Sequence, residues 1–292
     1  MMKPGMSGAP EKAPEGAPEK ASKKAPERTP EKALKRAADR LRELGVECPD
    51  ICVILGSGLS SFTDSFEEDL TVPYGKIPGF PQTAVAGHRG AVVLGKIGGK
   101  EMIVFAGRVH LYEGHSPQDV TFTVRLAAEL GARTIIVTNA SGGLDPGFEV
   151  GDLMLIADQL SLISGPRRLP LPTFRMGRAY SERLRGLAVA VAAEERVTLR
   201  SGVYIGPLGP TYETPAEIRM MRRIGGSAIG MSTVLEVQAA RALGLKVMGI
   251  ALITNLAVPG SGHETTHKEV LAAGKAGGEK LYRIVSGVAR RT

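Results

Sequence analysis

The chain has 292 residues, 43% of them apolar and 23% charged. That is the make-up of a soluble globular protein with room for one large α/β domain or two small ones. The net charge is +7, of which the first 32 residues contribute +2, so a mildly basic surface accounts for it more plainly than a nucleic-acid patch. Trp is absent and aromatics make up 4%, which argues against a base-stacking platform. Cys48 and Cys52 stand in a CxxxC spacing with no second pair and no nearby His, so no zinc site is expected. Two reduced thiols, no secretory h-region and no apolar run of roughly 18 residues point to the cytoplasm and away from a membrane.

Residues 1–28 are low in complexity: Ala-Pro-Glu recurs at Ala9, Ala13, Ala17 and Ala25. Such a segment has little to bury and reads as a disordered or semi-extended tail. The folded domain is expected over 29–292. Thr29 suits an N-cap, with Pro30 at the first helical position, and Ala33, Leu34, Ala37, Ala38, Leu41 and Leu44 form one helical face that Gly45 ends. Ile51 to Leu55 is a short apolar run typical of a buried strand. Ala91 to Ile97 and Glu101 to Ala106 read as a strand pair turned at Gly98-Gly99, and Pro117 to Leu130 as one helix stopped by Gly131. Strands follow at Thr134 to Thr138, Leu153 to Ala157, Val203 to Ile205, Ala228 to Met231 and Lys246 to Thr254. Helices follow at Tyr180 to Glu195, Pro215 to Ile224, Val234 to Leu243 and Lys268 to Val288. This alternation predicts a single α/β domain with a central mixed β-sheet flanked by helices.

Polar clusters recur where the apolar runs end. Gly56-Ser57-Gly58 offers backbone N–H groups and a hydroxyl to an anion, yet is neither a P-loop nor GxGxxG, which discounts nucleoside triphosphates and dinucleotides. Arg108 and His110, two apart in extended chain, point the same way and suit one phosphate, with His88 as a candidate partner behind them. Thr138-Asn139-Ala140-Ser141-Gly142-Gly143 reads as an anion nest or simply a tight turn. Glu213, in the rigid Gly209–Glu217 stretch, reads as a base-binding carboxylate, a surface turn or a cap for the helix near Pro215. Met231 and Ser232 close one strand; Thr254 and Asn255 close the longest, and Asn offers both an acceptor and donors. His267 opens the last helix.

Taken together, these runs resemble the trimeric purine nucleoside phosphorylase family. They are Gly-Ser-Gly-Leu at 56–59, Gly-His-Arg-Gly at 87–90, Gly-Arg-Val-His-Leu-Tyr-Glu-Gly at 107–114, Thr-Asn-Ala-Ser-Gly-Gly at 138–143, Gly-Pro-Thr-Tyr-Glu-Thr at 209–214, Gly-Met-Ser-Thr at 230–233 and Ile-Thr-Asn at 253–255. The resemblance implies reversible phosphorolysis of purine ribonucleosides, inosine and guanosine above all, with their 2′-deoxy forms, in purine salvage. Inorganic phosphate would be the co-substrate, with no metal or organic cofactor and no nucleic acid or membrane as partner. It implies a homotrimer. Ser57, His88, Arg108, His110, Ala140 and Ser232 would bind phosphate; Tyr112 and Met231 would line the ribose and His267 would hold its 5′-hydroxyl. Tyr212, Glu213, Thr254 and Asn255 would meet the base. Asn255, His110 and Glu213 would carry the catalysis. The related methylthioadenosine phosphorylases place Asp where Asn255 stands, which makes them the alternative to test. A non-catalytic nucleoside-binding protein on the same scaffold is a third reading, opposed by Arg108, His110 and Asn255. The chain departs from the family at Leu256, where Lys often follows the Asn, and at the neighbour-donated Phe, for which Phe174 is a stand-in.

Overall fold

The computed structural model describes residues 30–65, 68–83, 89–163, 175–258 and 266–292. The expected tail, His88 and Phe174 therefore lie outside the described residues, as does the side chain of His267. Nine strands are paired in one mixed sheet among the described residues. They are β1 Ile51–Ile54, β2 Glu68–Pro73, β3 Ala91–Ile97, β4 Lys100–Ala106, β5 Thr134–Gly143, β6 Leu153–Ser161, β7 Leu199–Gly206, β8 Ala228–Ile229 and β9 Lys246–Leu256. The order is β2-β3-β4-β1-β5-β8-β7-β6-β9, and β5 also pairs with β9. That last pairing closes β5, β8, β7, β6 and β9 into a ring, so one half of the sheet is open and the other is a small barrel. Strands β4, β1, β5 and β9 run parallel to one another.

The helices cover both faces. On one side α1 Pro30–Glu43, α3 Phe122–Glu129 and α6 Val234–Ala242 bury Ala37, Ala38, Leu41, Val124, Leu126, Val234, Val237 and Ala240 against Cys52 and Ile54 of β1. On the other, α4 Glu182–Glu194 and α7 His267–Ala289 bury Leu184, Ala188, Val191, Leu281, Ile284 and Val288 against Ile51 and Val53. Strand β1 thus shows every side chain to a helix layer, which is why it reads as an unbroken apolar run. A third, smaller cluster places α5 Pro215–Arg223 over Leu144, Ile205 and Ile229 through Ile218 and Met221.

Four local expectations change. The single helix expected from Pro117 is two, α2 Pro117–Val120 and α3, parted at Thr121. The Thr121 hydroxyl donates to the Pro117 carbonyl at 2.8 Å, a back-bond that favours a break in the helical ladder. Residues 138–143 are not a turn: β5 continues through them, paired with β9 along its whole length and with β8 at Gly142 and Gly143. The last strand before Met231 is only two residues long, because the chain leaves the sheet at Gly230. Strand β2, paired antiparallel with β3, carries no strong alternation and was not expected.

Candidate active site

The parallel strands β1, β4, β5 and β9 end on one side of the sheet, the usual place for a ligand in α/β folds. One cleft lies there. It is lined by Ser57, Arg108, His110, Tyr112, Ala140, Tyr212, Glu213, Met231, Ser232, Thr254 and Asn255, among others. Every residue singled out from the sequence whose side chain is described therefore meets the others in a single cavity.

The anion end is built from strand ends. Gly56 lets β1 approach β5 closely: a Cβ there would lie 2.7 Å from the Asn139 Cα. Its N–H donates to the Thr138 hydroxyl at 3.2 Å, and that hydroxyl donates to the Ile54 carbonyl at 2.9 Å, so Ser57 is presented from a pinned turn. Arg108 follows β4 and is 3% exposed. Its Nε donates to Glu236 Oε1 at 3.0 Å, and its Nη1 donates to the Thr138 carbonyl at 2.6 Å and to the Ser232 hydroxyl at 3.3 Å. Nη2 is buried with no hydrogen-bond partner among the described residues. An unmatched guanidinium nitrogen costs free energy unless an acceptor arrives, and a phosphate oxygen is such an acceptor. His110 Nδ1 lies 2.8 Å from Glu113 Oε1, which also accepts from the His110 backbone N–H at 2.8 Å. A carboxylate there accepts a hydrogen bond from Nδ1–H, which orients the ring. The ring also stacks on Tyr112, with centroids 4.8 Å apart.

Ser232 is held from behind. The Tyr204 hydroxyl donates to the Ser232 carbonyl at 3.3 Å and accepts from its N–H at 3.4 Å. Burial pushes the Tyr204 phenol up to about 12, so it remains a neutral donor. Thr233 takes φ +72°, ψ −52°, and the Val234 N–H donates to the Ser232 carbonyl at 2.8 Å across it. That is a γ-turn on a β-branched residue, a strained conformation. Asn139 steadies it, donating from Nδ2 to the Thr233 hydroxyl at 2.8 Å.

The other end of the cleft carries an amide and a carboxylate. Strand β9 has a register shift against β5: Ser141 faces Ile253 but Gly142 faces Asn255, leaving Thr254 as an extra residue. Such a bulge breaks the two-residue alternation and re-aims side chains, here where Asn255 enters the cleft. Asn255 Oδ1 accepts from the Thr254 hydroxyl at 3.2 Å. Glu213 does not cap α5. Thr214 is the N-cap, and Glu217 completes the capping box on the Thr214 N–H at 2.7 Å. Glu213 is left half-buried at the cleft, and burial raises its carboxyl above the usual range, with lesser help from Glu217. Tyr212 is 51% exposed at the rim. The cleft wall at Tyr112 and Met231 is tight: a Cβ on Gly209, whose φ is +73°, would lie 2.4 Å from Met231 Sδ and 3.2 Å from Tyr112 Cδ1. Burial, then Glu113 and Tyr212, push the Tyr112 phenol up to about 12.

Sequence reasoning left Glu113, Asn139, Tyr204, Thr233 and Glu236 without roles. Glu113 and Asn139 sit inside runs it had marked. Tyr204 and Glu236 carry no local signal, since their partners are 28 and 128 residues away. His267 is the first residue of α7 and Val270, one turn on, lines the cleft, which places this helix start at the site.

Comparison with known proteins agrees with this geometry. Residues 50–290 match the family model of the phosphorylase superfamily. A purine nucleoside phosphorylase 1 of Geobacillus stearothermophilus is 43% identical over 260 residues, covering 87% of this chain and 95% of the relative. The purine nucleoside phosphorylase of Rattus norvegicus is 42% identical, covering 85% and 91%. Among solved structures, that of Schistosoma mansoni purine nucleoside phosphorylase in complex with inosine superposes with a TM-score of 0.81 at 35% identity, over 89% of this chain and 96% of that one. A fold, a cleft and identities of this extent leave one placement: this chain belongs to the phosphorylase superfamily, among its purine nucleoside phosphorylases.

Proposed function

We propose that this chain catalyses reversible phosphorolysis of 6-oxopurine ribonucleosides and 2′-deoxyribonucleosides, inosine and guanosine among them, to free base and (deoxy)ribose 1-phosphate. The observation that carries the reading is the meeting, in one cleft, of Arg108, whose buried Nη2 has no partner among the described residues, with Asn255 and a half-buried Glu213. The C1′–N9 bond breaks toward an oxocarbenium-like ribosyl cation, as in glycoside hydrolysis, and its electron pair goes to the departing base. Phosphate held by Ser57, Arg108, His110, Ser232 and the Ala140 backbone stabilises that cation from the opposite face and forms the new C1′–O bond. His88 belongs to this phosphate set by resemblance. Tyr112 and Met231 line the ribose, and His267 takes its 5′-hydroxyl. Tyr212 packs on the base at the rim and Glu213 accepts from its N–H groups. The Asn255 amide donates to the base as charge builds there, an interaction strongest in the transition state and so expressed in rate.

The reading needs phosphate as co-substrate and no metal or organic cofactor, and it places the enzyme in the cytoplasm. No described helix is long and apolar enough to cross a membrane. It includes a folded domain from residue 29 onward and a homotrimer. The exposed apolar side chains of Leu256 and Val258, just after Asn255, support a subunit contact near the cleft. The test is phosphate-dependent base release from inosine, guanosine, adenosine and 5′-methylthioadenosine, with size-exclusion and light scattering for the assembly. Turnover of the first two supports the reading. Preference for either 6-amino nucleoside means the base site is misassigned, and purine binding without turnover makes the chain a binding protein.

A further inference from the structure

Glu236 lies outside the cleft, is 0% exposed, and is the group that holds Arg108 from behind. It stands in the first turn of α6, four residues after Ser232, where the positive end of the helix dipole favours a carboxylate. Helix α6 and its lead-in therefore grip one guanidinium twice. Ser232 meets Nη1 at 3.3 Å and Glu236 meets Nε at 3.0 Å, while the Thr138 carbonyl takes Nη1 from β5. A planar fork held at both Nε and Nη1 cannot turn in its plane; held at Nη1 alone, it pivots.

On charge alone Glu236 works against the site. A buried carboxylate 3.0 Å from the guanidinium cancels the cation that an anion would seek. What it contributes to anion binding is therefore direction rather than attraction. We propose that Glu236 is a positioning residue for the phosphate step: its Oε1 fixes the plane of the Arg108 guanidinium so that Nη2, unpartnered among the described residues, meets phosphate. This rests on the phosphorolysis reading above.

Two variants separate position from charge. Glu236→Gln keeps an acceptor at the same reach and removes the charge. Glu236→Asp keeps the charge and withdraws the acceptor by one methylene. Each is assayed for the KM of inorganic phosphate and of inosine, and for inorganic phosphate binding by titration calorimetry. The expected result is that Glu236→Asp raises the phosphate KM and Kd by about tenfold, a loss of about 1.4 kcal/mol. Glu236→Gln stays within about threefold of the parent, and the inosine KM moves by less than about twofold in both. The proposal is overturned if Asp is harmless, if Gln is as damaging as Asp, or if the inosine KM shifts by the same factor as that of phosphate. If the parent binds phosphate but turns over no nucleoside, the phosphorolysis reading fails while calorimetry still decides the role of Glu236.

Discussion

Replacing Asn255 by Asp tests the base site by changing one heavy atom while the side chain keeps its shape. The amide Nδ2 becomes an oxygen while the backbone bulge at Thr254 and the neighbouring Thr254 hydroxyl stay in place. The side chain is packed with Nδ2 toward Gly142, where even a methyl would lie 3.3 Å away, so it has little room to turn aside. A 6-oxopurine then meets an acceptor where it needs a donor. Losing a donor that acts on developing charge costs about 2.7–4 kcal/mol, or roughly 10²–10³ in rate. Leaving a buried polar edge mismatched adds about 1–3 kcal/mol of discrimination between bases. The expected outcome is a fall in kcat/KM for inosine by about 10³–10⁵, with adenosine unchanged or improved. Steady-state phosphorolysis of both nucleosides at saturating phosphate measures it. If the variant keeps inosine turnover within about tenfold of the parent, Asn255 does not hydrogen-bond the base in the transition state and the site has been misread.

Glu213→Gln should separate activity from stability. Because burial raises the Glu213 carboxyl, the folded state holds its proton to higher pH than the unfolded chain does. Stability from this group is thus present at acid pH and lost as pH rises through the raised value. Glu213→Gln should therefore melt no lower than the parent at pH 8 in a thermal scan, while its kcat/KM for inosine falls by at least about tenfold; a lower melting temperature there would contradict the burial argument. In the parent, kcat/KM should decline on the acid side above the ordinary carboxylate value, and a profile flat down to that value would show that ionised Glu213 is not needed. Gly56→Ala should cost about 1–3 kcal/mol in urea unfolding and raise the phosphate KM, because its Cβ would meet the Asn139 backbone at 2.7 Å; an unchanged midpoint would show that the strand ends move apart freely. Thr214→Ala should cost about 1 kcal/mol as a lost N-cap and weaken nucleoside binding more than phosphate binding, since the box it forms with Glu217 sets the turn bearing Glu213.

Much of the fold was legible because its signals are local. The apolar face of α1 and the unbroken run of β1 follow from period and burial within a dozen residues. The motif Gly-Arg-Val-His-Leu-Tyr-Glu-Gly named Arg108 and His110 because both chemistry and spacing lie within eight positions. The run 138–143 stays open between an anion nest and a tight turn in the sequence for the same reason: its glycines and polar side chains look like a loop locally. It becomes a strand only because β9 supplies a hydrogen-bonding partner along its full length.

What the sequence by itself determined is the inventory: an α/β alternation, and which residue types wait at the strand ends. Tertiary structure alone decided how they are used. It closed half the sheet into a ring, and it placed the bulge at Thr254 that breaks the strand's alternation where Asn255 enters the cleft. It freed Glu213 by giving the cap to Thr214 and Glu217, and it set Glu236 behind Arg108 across 128 residues. The physical reason is that periodicity and propensity act within a turn or two of chain. Register, burial and the pairing of charges depend on groups that only the packed sheet and its helix layers bring together.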